Sequence, residues 1–108
     1  HDEAAAVKQA RAEKRPLLVD FAADWCIPCK ELELTTFADP RVRKELARFV
    51  LAKVDCTNPD EKAEALQARY GAETLPTVVI QDGTGQQVLK LTEYTTADRL
   101  LPILQRTR

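Results

Sequence analysis

The sequence has no long hydrophobic run, no surplus of either charge, no internal repeat and no low-complexity stretch. Each absence removes a class of function. Without about 20 consecutive apolar residues there is no helix to span a bilayer. Sixteen basic against seventeen acidic side chains leave a net charge of −1, which offers no electrostatic footprint to nucleic acid or to an anionic membrane. No basic segment followed by an apolar one reads as a signal peptide. The chain starts at His1 rather than Met, which predicts a processed protein or a domain cut from a longer one. Either origin can have removed a targeting or membrane segment. Three cysteines are an odd number, so they do not make a framework of paired structural disulfides.

What is present fits one domain over residues 1–108, with a composition of 44% apolar and 31% charged residues that supports a single buried core. Residues 3–14 are rich in helix formers, with Ala6, Val7 and Ala10 as a modest apolar face, and Pro16 stops them. The run from Leu17 to Ala23 is nearly continuous in apolar residues, as expected of a strand buried on both faces. A helix is predicted from the second half of Cys26-Ile27-Pro28-Cys29, carrying Leu32, Leu34 and Phe37. Asp39-Pro40 reads as a cap followed by a first-turn proline, opening a helix to about Arg48. A second strand follows from Phe49 to Cys56. Asn58-Pro59 repeats the cap-and-proline signal for a helix to about Tyr70, ended by Gly71. Thr77–Gln81 and the segment holding Val88, Leu89 and Leu91 form a hairpin about Asp82-Gly83-Thr84-Gly85. Thr95 or Thr96 caps a last helix with Leu100, Ile103 and Leu104 inward, and Pro102 inside it requires a first-turn position or a kink. This order predicts an α/β fold, a mixed sheet with helices on both faces.

Two cysteines separated by two residues, after an apolar strand and opening a helix, carry the strongest chemical signal. One helical turn lets the two sulfurs meet. Cys26 is placed at the helix N-terminus, where unpaired N–H groups favour a thiolate and lower its pKa, and so is the attacking nucleophile. Cys29, one turn in and more buried, is the resolving thiol. Pro28 fits the first turn because its missing N–H costs nothing there. The alternative is half of a zinc site, for which only Cys56 and His1 remain as further good donors. Asp20 stands within the apolar strand, so its carboxyl needs a raised pKa or a polar partner unless it faces water at an edge. Cys56 reads as a buried, inert strand cysteine, with a regulatory thiol as the alternative.

Leu-Val-Asp-Phe-Ala-Ala-Asp-Trp-Cys-Ile-Pro-Cys-Lys, residues 18–30, resembles the active-site segment of the thioredoxin-like family. Its continuation through Val42 is similar to the periplasmic C-terminal domain of the transmembrane reductant transporter DsbD. The resemblance covers about residues 15–104. It implies a thioredoxin fold with about four core strands and a site at the C-terminal end of a strand. It makes Asp20 the buried acid that exchanges protons with Cys29. Glu33, four residues after Cys29, becomes a second acid tuning the thiols, although a helix glutamate is more often simply solvated. Lys53 stands where thioredoxins carry a buried lysine, and an isolated strand lysine can equally point to solvent. Leu75-Pro76-Thr77 matches the segment whose proline is cis, packs against the cysteines, and follows a residue whose backbone binds substrate. Trp25, Ile27, Pro28, Leu75 and Pro76 then make an apolar docking platform around Cys26, with core packing as the alternative for Trp25. The chain departs from the family in two places. Ile27-Pro28 is neither the Gly-Pro of thioredoxin nor the dipeptide of enteric DsbD, though its proline is the one found in reducing members. Glu93 occupies a position where thioredoxins carry glycine.

The resemblance therefore implies a protein-disulfide reductase that passes electrons by dithiol–disulfide exchange from a membrane-embedded donor to partner proteins. It implies no metal and no small-molecule cofactor beyond the Cys26–Cys29 disulfide. A periplasmic location, possession by an inner-membrane protein and a monomeric state go with it. A freestanding periplasmic thioredoxin-like reductase, a non-catalytic binding module and an oxidase or isomerase are the rival readings; the last group usually has a histidine between the cysteines.

Overall fold

In the computed structural model, which describes residues 2–108, the apolar run after Pro16 is the parallel partner of one strand and the antiparallel partner of another. This strand, β1 (Leu17–Ala22), sits between β2 (Val50–Asp55) and β3 (Thr77–Gln81), and β4 (Gln87–Leu91) closes the far edge, giving the order β2-β1-β3-β4. β1 pairs parallel with β2 and antiparallel with β3, and β3 and β4 form the hairpin. A strand paired on both sides and covered on both faces has no solvent side, which is why its residues do not alternate in polarity.

The two faces of the sheet hold separate cores. Leu17, Val19 and Phe21 point towards α1 (Glu3–Glu13) and α4 (Glu61–Tyr70), packing with Ala10, Val54 and Leu66. Leu18 points the other way, into a core with Leu32, Val42, Val78, Leu100 and Leu104. That second core is supplied by α3 (Pro40–Leu46), α5 (Ala97–Arg106) and the helical segment that follows the cysteines. Asp20 has the parity of Leu18, so the strand aims it at the cysteine-bearing side.

Local chemistry explains the helix ends. Asp39 caps α3 by accepting from Arg41 N–H (2.8 Å), with Pro40 in the first turn. Thr96 caps α5, accepting from Arg99 N–H (3.3 Å). Gly71 ends α4 in the left-handed region (φ +65°), where a side chain would be strained. α4 itself starts later than expected. Asn58-Pro59 lies ahead of it, and the cap is Asp60, whose carboxylate accepts from Ala63 N–H (2.8 Å). Pro102 is an interior residue of α5 rather than a first-turn one, with its ring exposed.

The helix after the cysteines also differs from its prediction. α2 (Ile27–Glu31) starts at Ile27, with Cys26 as its cap, and runs directly into a π-helical turn over Leu32–Thr36. There the Phe37 N–H reaches back five residues to the Leu32 carbonyl (2.8 Å). One extra residue in the turn rotates the side chains that follow. Leu32 and Thr36 are buried, whereas Leu34 on the same segment is 73% exposed. The Thr36 hydroxyl donates to the Thr95 carbonyl at the start of α5 (2.5 Å), a tertiary bond that holds the wide turn in place.

His1, one of the further zinc-donor candidates, lies outside the described residues. Among the described residues no cluster of three or more His, Cys, Asp or Glu side chains is placed to hold a metal ion, and no helix is long and apolar enough to cross a membrane.

Candidate active site

β1 ends at Ala22, and the chain turns immediately: the Cys26 N–H donates to the Ala23 carbonyl (3.2 Å). That turn delivers Cys26 to the cap of α2. Its Sγ accepts from the Cys29 N–H (3.2 Å), the bond a serine or aspartate oxygen makes at an ordinary helix start. Pro28 occupies the first turn and withholds no useful donor. Cys26 and Cys29 are joined as a disulfide, their Cα atoms 5.3 Å apart.

Sheet pairing brings the second segment to the same place. Phe21 is opposite Thr77 in the antiparallel β1–β3 ladder, so the residues before Thr77 run alongside those after Phe21. Leu75-Pro76 is a cis peptide, Pro76 is buried, and Leu75 packs against the cluster of Ala22, Ala23, Cys26 and Cys29. The Thr77 hydroxyl donates to the Thr74 carbonyl (2.6 Å) and closes the loop.

The two sulfurs are covered alike. Cys26 is 4% and Cys29 5% exposed, which corrects the expectation that Cys29 is the more buried. Both share a buried cluster with Ala23, against which Leu75 packs, and what separates the cysteines is position: one caps the helix and the other lies in its first turn. Around them Trp25 (63% exposed) and Ile27 (73%) stand in solvent, so Trp25 is not a core residue. Its indole is fixed all the same, with Nε1–H donating to the Thr57 carbonyl (3.1 Å). Thr57 escaped the sequence reading. The only local hint was Asp55-Cys56-Thr57, where a carboxylate two residues ahead of a threonine invites a turn; Asp55 Oδ1 accepts from both the Thr57 N–H (2.9 Å) and its hydroxyl (2.6 Å).

The acids gather on one side. A polar pocket of about 250 Å³ is lined by Cys29, Lys30, Glu33, Lys53, Asp55 and Asp24, with Ala22 and Ala23. Glu33 is exposed and lies 4.0 Å from Lys53 Nζ, a solvent-screened pair of little energetic worth. Lys53 is directly opposite Asp20 on the neighbouring strand and is itself half-exposed. Asp20 does not line this pocket. It opens into an adjoining, mainly apolar groove of about 420 Å³ between Phe37, Leu46 and Leu51, and Lys53 walls both cavities. Burial pushes the Asp20 carboxyl from its ordinary 3.8 up to about 6; Lys53 pulls against that rise and Glu33 adds to it. Desolvation thus outweighs the nearest cation.

Cys56 stands apart. It is buried in the core beneath α1 and α4, its thiol directed at the Val54 carbonyl (3.7 Å). Burial, then Asp55 and Asp20, push its pKa upwards. A thiol held in that state is a poor nucleophile.

A family model described as a thioredoxin-like domain matches residues 4–108. The thiol:disulfide interchange protein DsbD of Ralstonia nicotianae is 38% identical over 102 residues, 94% of this chain and 17% of that protein. DsbD of Escherichia coli is 42% identical over 76 residues, 70% of this chain and 14% of its own length. The chain therefore spans only a small part of these curated relatives. Among solved structures, the oxidised C-terminal domain of DsbD from Neisseria meningitidis matches with a TM-score of 0.80 at 28% identity, covering 99% of this chain and 97% of that one. A thioredoxin from Thermus thermophilus matches at 0.83 and 26% identity, covering 98% and 83%.

Proposed function

The chain belongs to the thioredoxin-like domain family, and from that premise we propose that it is a thiol–disulfide oxidoreductase working as a reducing electron relay. The observation that carries this reading is the Cys26–Cys29 disulfide at the cap of α2, packed against Leu75 beside the cis Leu75–Pro76 bond.

In the reduced protein the Cys29 N–H that now meets Cys26 Sγ favours the Cys26 thiolate, since a hydrogen bond to the charged form stabilises it. That thiolate attacks one sulfur of a partner disulfide. A Cys26–partner mixed disulfide forms and the partner's other sulfur leaves as a thiolate. Cys29 then loses its proton and attacks Cys26 Sγ, forming the Cys26–Cys29 bond and releasing the second partner thiolate. Two electrons pass to the partner, whose thiolates take up two protons. Asp20, raised to about 6 by burial on the same side of the sheet, is the acceptor for the Cys29 proton, with Lys53 and Glu33 acting on its charge in opposite directions. A dithiol in a membrane-embedded donor reduces the Cys26–Cys29 bond again and becomes a disulfide itself. Trp25, Ile27, Pro28, Leu75 and Pro76 form the surface on which the partners dock. The domain acts as a monomer on the periplasmic side, one unit over residues 1–108, and needs no cofactor besides its own disulfide.

The direction of electron flow is read from the equilibrium potential. Trp25, the only tryptophan and the neighbour of Cys26, reports the redox state by fluorescence in defined thiol–disulfide buffers. The expected potential is at or below about −220 mV, in the glutaredoxin-to-thioredoxin range. A value between about −180 and −120 mV would reverse the assigned direction, because disulfide isomerases and oxidases lie there.

A further inference from the structure

Thr57 makes a set of contacts that the exchange chemistry does not use. Its hydroxyl accepts from the Asp24 N–H (2.9 Å) and donates to Asp55 Oδ1 (2.6 Å). Its carbonyl accepts from Trp25 Nε1–H (3.1 Å). Its own N–H donates to Asp55 Oδ1 (2.9 Å). Asp24 and Trp25 are the two central residues of the turn closed by the Cys26 N–H and the Ala23 carbonyl. One residue on the loop after β2 therefore pins both corners of the turn that presents Cys26, and the Asp55 carboxylate in turn pins that residue.

The exposure of Trp25 gives the arrangement its meaning. A tryptophan normally gains its fixed position by burial, yet this indole is 63% exposed. Hydrogen bonding at its one polar atom replaces packing, leaving the apolar rim free beside a sulfur that is only 4% exposed. A small disulfide needs only the sulfur, whereas a folded partner must also fit the rim. Ordering such a side chain beforehand spares a partner the entropy of doing so on docking.

We propose that Thr57 is a positioning residue that holds the Trp25 indole and the Asp24–Trp25 turn in the orientation a partner protein reads when its disulfide approaches Cys26. The proposal rests on the relay reading and refines its docking surface.

The test mixes the reduced protein in single turnovers with two oxidants, insulin as the protein disulfide and hydroxyethyl disulfide as the small one. Thr57→Val keeps the side-chain shape and removes the hydroxyl; Thr57→Ser keeps the hydroxyl. The ratio of the insulin rate constant to the small-disulfide rate constant should fall about fivefold in Thr57→Val, with a loss of Trp25 fluorescence anisotropy, and Thr57→Ser should restore both. An unchanged ratio overturns the proposal, whether or not the anisotropy falls, because the clasp would then position nothing that a partner reads. A ratio that falls in Thr57→Ser as much as in Thr57→Val also overturns it, since the hydroxyl would not be the cause. Wild-type protein that reacts with neither oxidant defeats the relay reading instead, so the two failures are separable.

Discussion

Cys26→Ser is expected to lower the rate of protein-disulfide reduction by at least about a thousandfold, because a neutral hydroxyl cannot replace a thiolate in attack on sulfur. The preference for Cys26 does not depend on exposure, since Cys26 and Cys29 are equally covered. It depends on the helix cap. Only the Cys26 sulfur receives the Cys29 N–H (3.2 Å), and only it lies at the end of the helix where unpaired donors collect. Cys29 retains its thiol in the variant but has no such donor. Cys56 is no substitute, being buried in the core on the opposite face of the sheet with its pKa pushed up. The loss is measured as the single-turnover rate of insulin reduction by the pre-reduced variant. Residual activity within about tenfold of wild type would mean that another sulfur attacks, and the assignment of roles would fail.

Asp20→Asn should make the protein more stable at pH 8 while slowing its chemistry. The carboxyl titrates near 6 in the folded protein against an ordinary 3.8, chiefly because it is desolvated. The folded state thus holds the proton more tightly than the unfolded chain does. Well below 3.8, at about pH 3, the group is mostly neutral in both states and costs little. As pH rises from about 3.8 to about 6 the unfolded chain ionises while the folded one resists, so stability falls and levels off above about 6, where the folded protein carries a desolvated charge. The depth of that fall is on the order of 2 kcal/mol, given that water still reaches the groove beside Asp20. Asparagine cannot ionise, so the variant should match wild type near pH 3 and exceed it by about 2 kcal/mol at pH 8. Urea unfolding of the oxidised forms at both pH values gives the comparison directly. A difference between variant and wild type that does not grow between these two pH values would contradict the burial of the charge. On the proposed role of Asp20 as acceptor of the Cys29 proton, the same variant should slow decay of the mixed disulfide about tenfold or more near neutral pH.

Much of this site was legible in the sequence because its parts are local. The apolar run of β1 marks a buried strand without any knowledge of its neighbours, and Asp20 inside it is conspicuous for the same reason. Cys26-Ile27-Pro28-Cys29 needs only one turn of helix to bring its sulfurs together. Leu75-Pro76 was legible through resemblance, since nothing in the dipeptide itself requires a cis bond. The misreadings share a different origin. Leu34 is carried with Leu32 on the helix after the cysteines, but two residues are about 200° of an α-helix, so with Leu32 buried it faces solvent. The π turn there, which a hydroxyl–carbonyl bond to Thr95 helps to hold, has no signal in the local sequence. Asn58-Pro59 has the composition of a helix start, but Asp60, one residue further on, reaches the orphan Ala63 N–H. The equal covering of the cysteines is not set by the motif alone, since Leu75, packed against their cluster, arrives from a distant segment by strand pairing. Thr57 was missed because its partners Asp24 and Trp25 are more than thirty residues away in the chain.

The division of labour between the two thiols is tested most directly by trapping. Reduced Cys29→Ser, mixed with insulin and quenched with acid, should accumulate a covalent adduct that mass spectrometry of its peptides places on Cys26. Under the same conditions Cys26→Ser should accumulate none. An adduct on Cys29 in the Cys26→Ser protein, formed as fast as the Cys26 adduct in its counterpart, would contradict the account, since either sulfur would then serve as the attacking one.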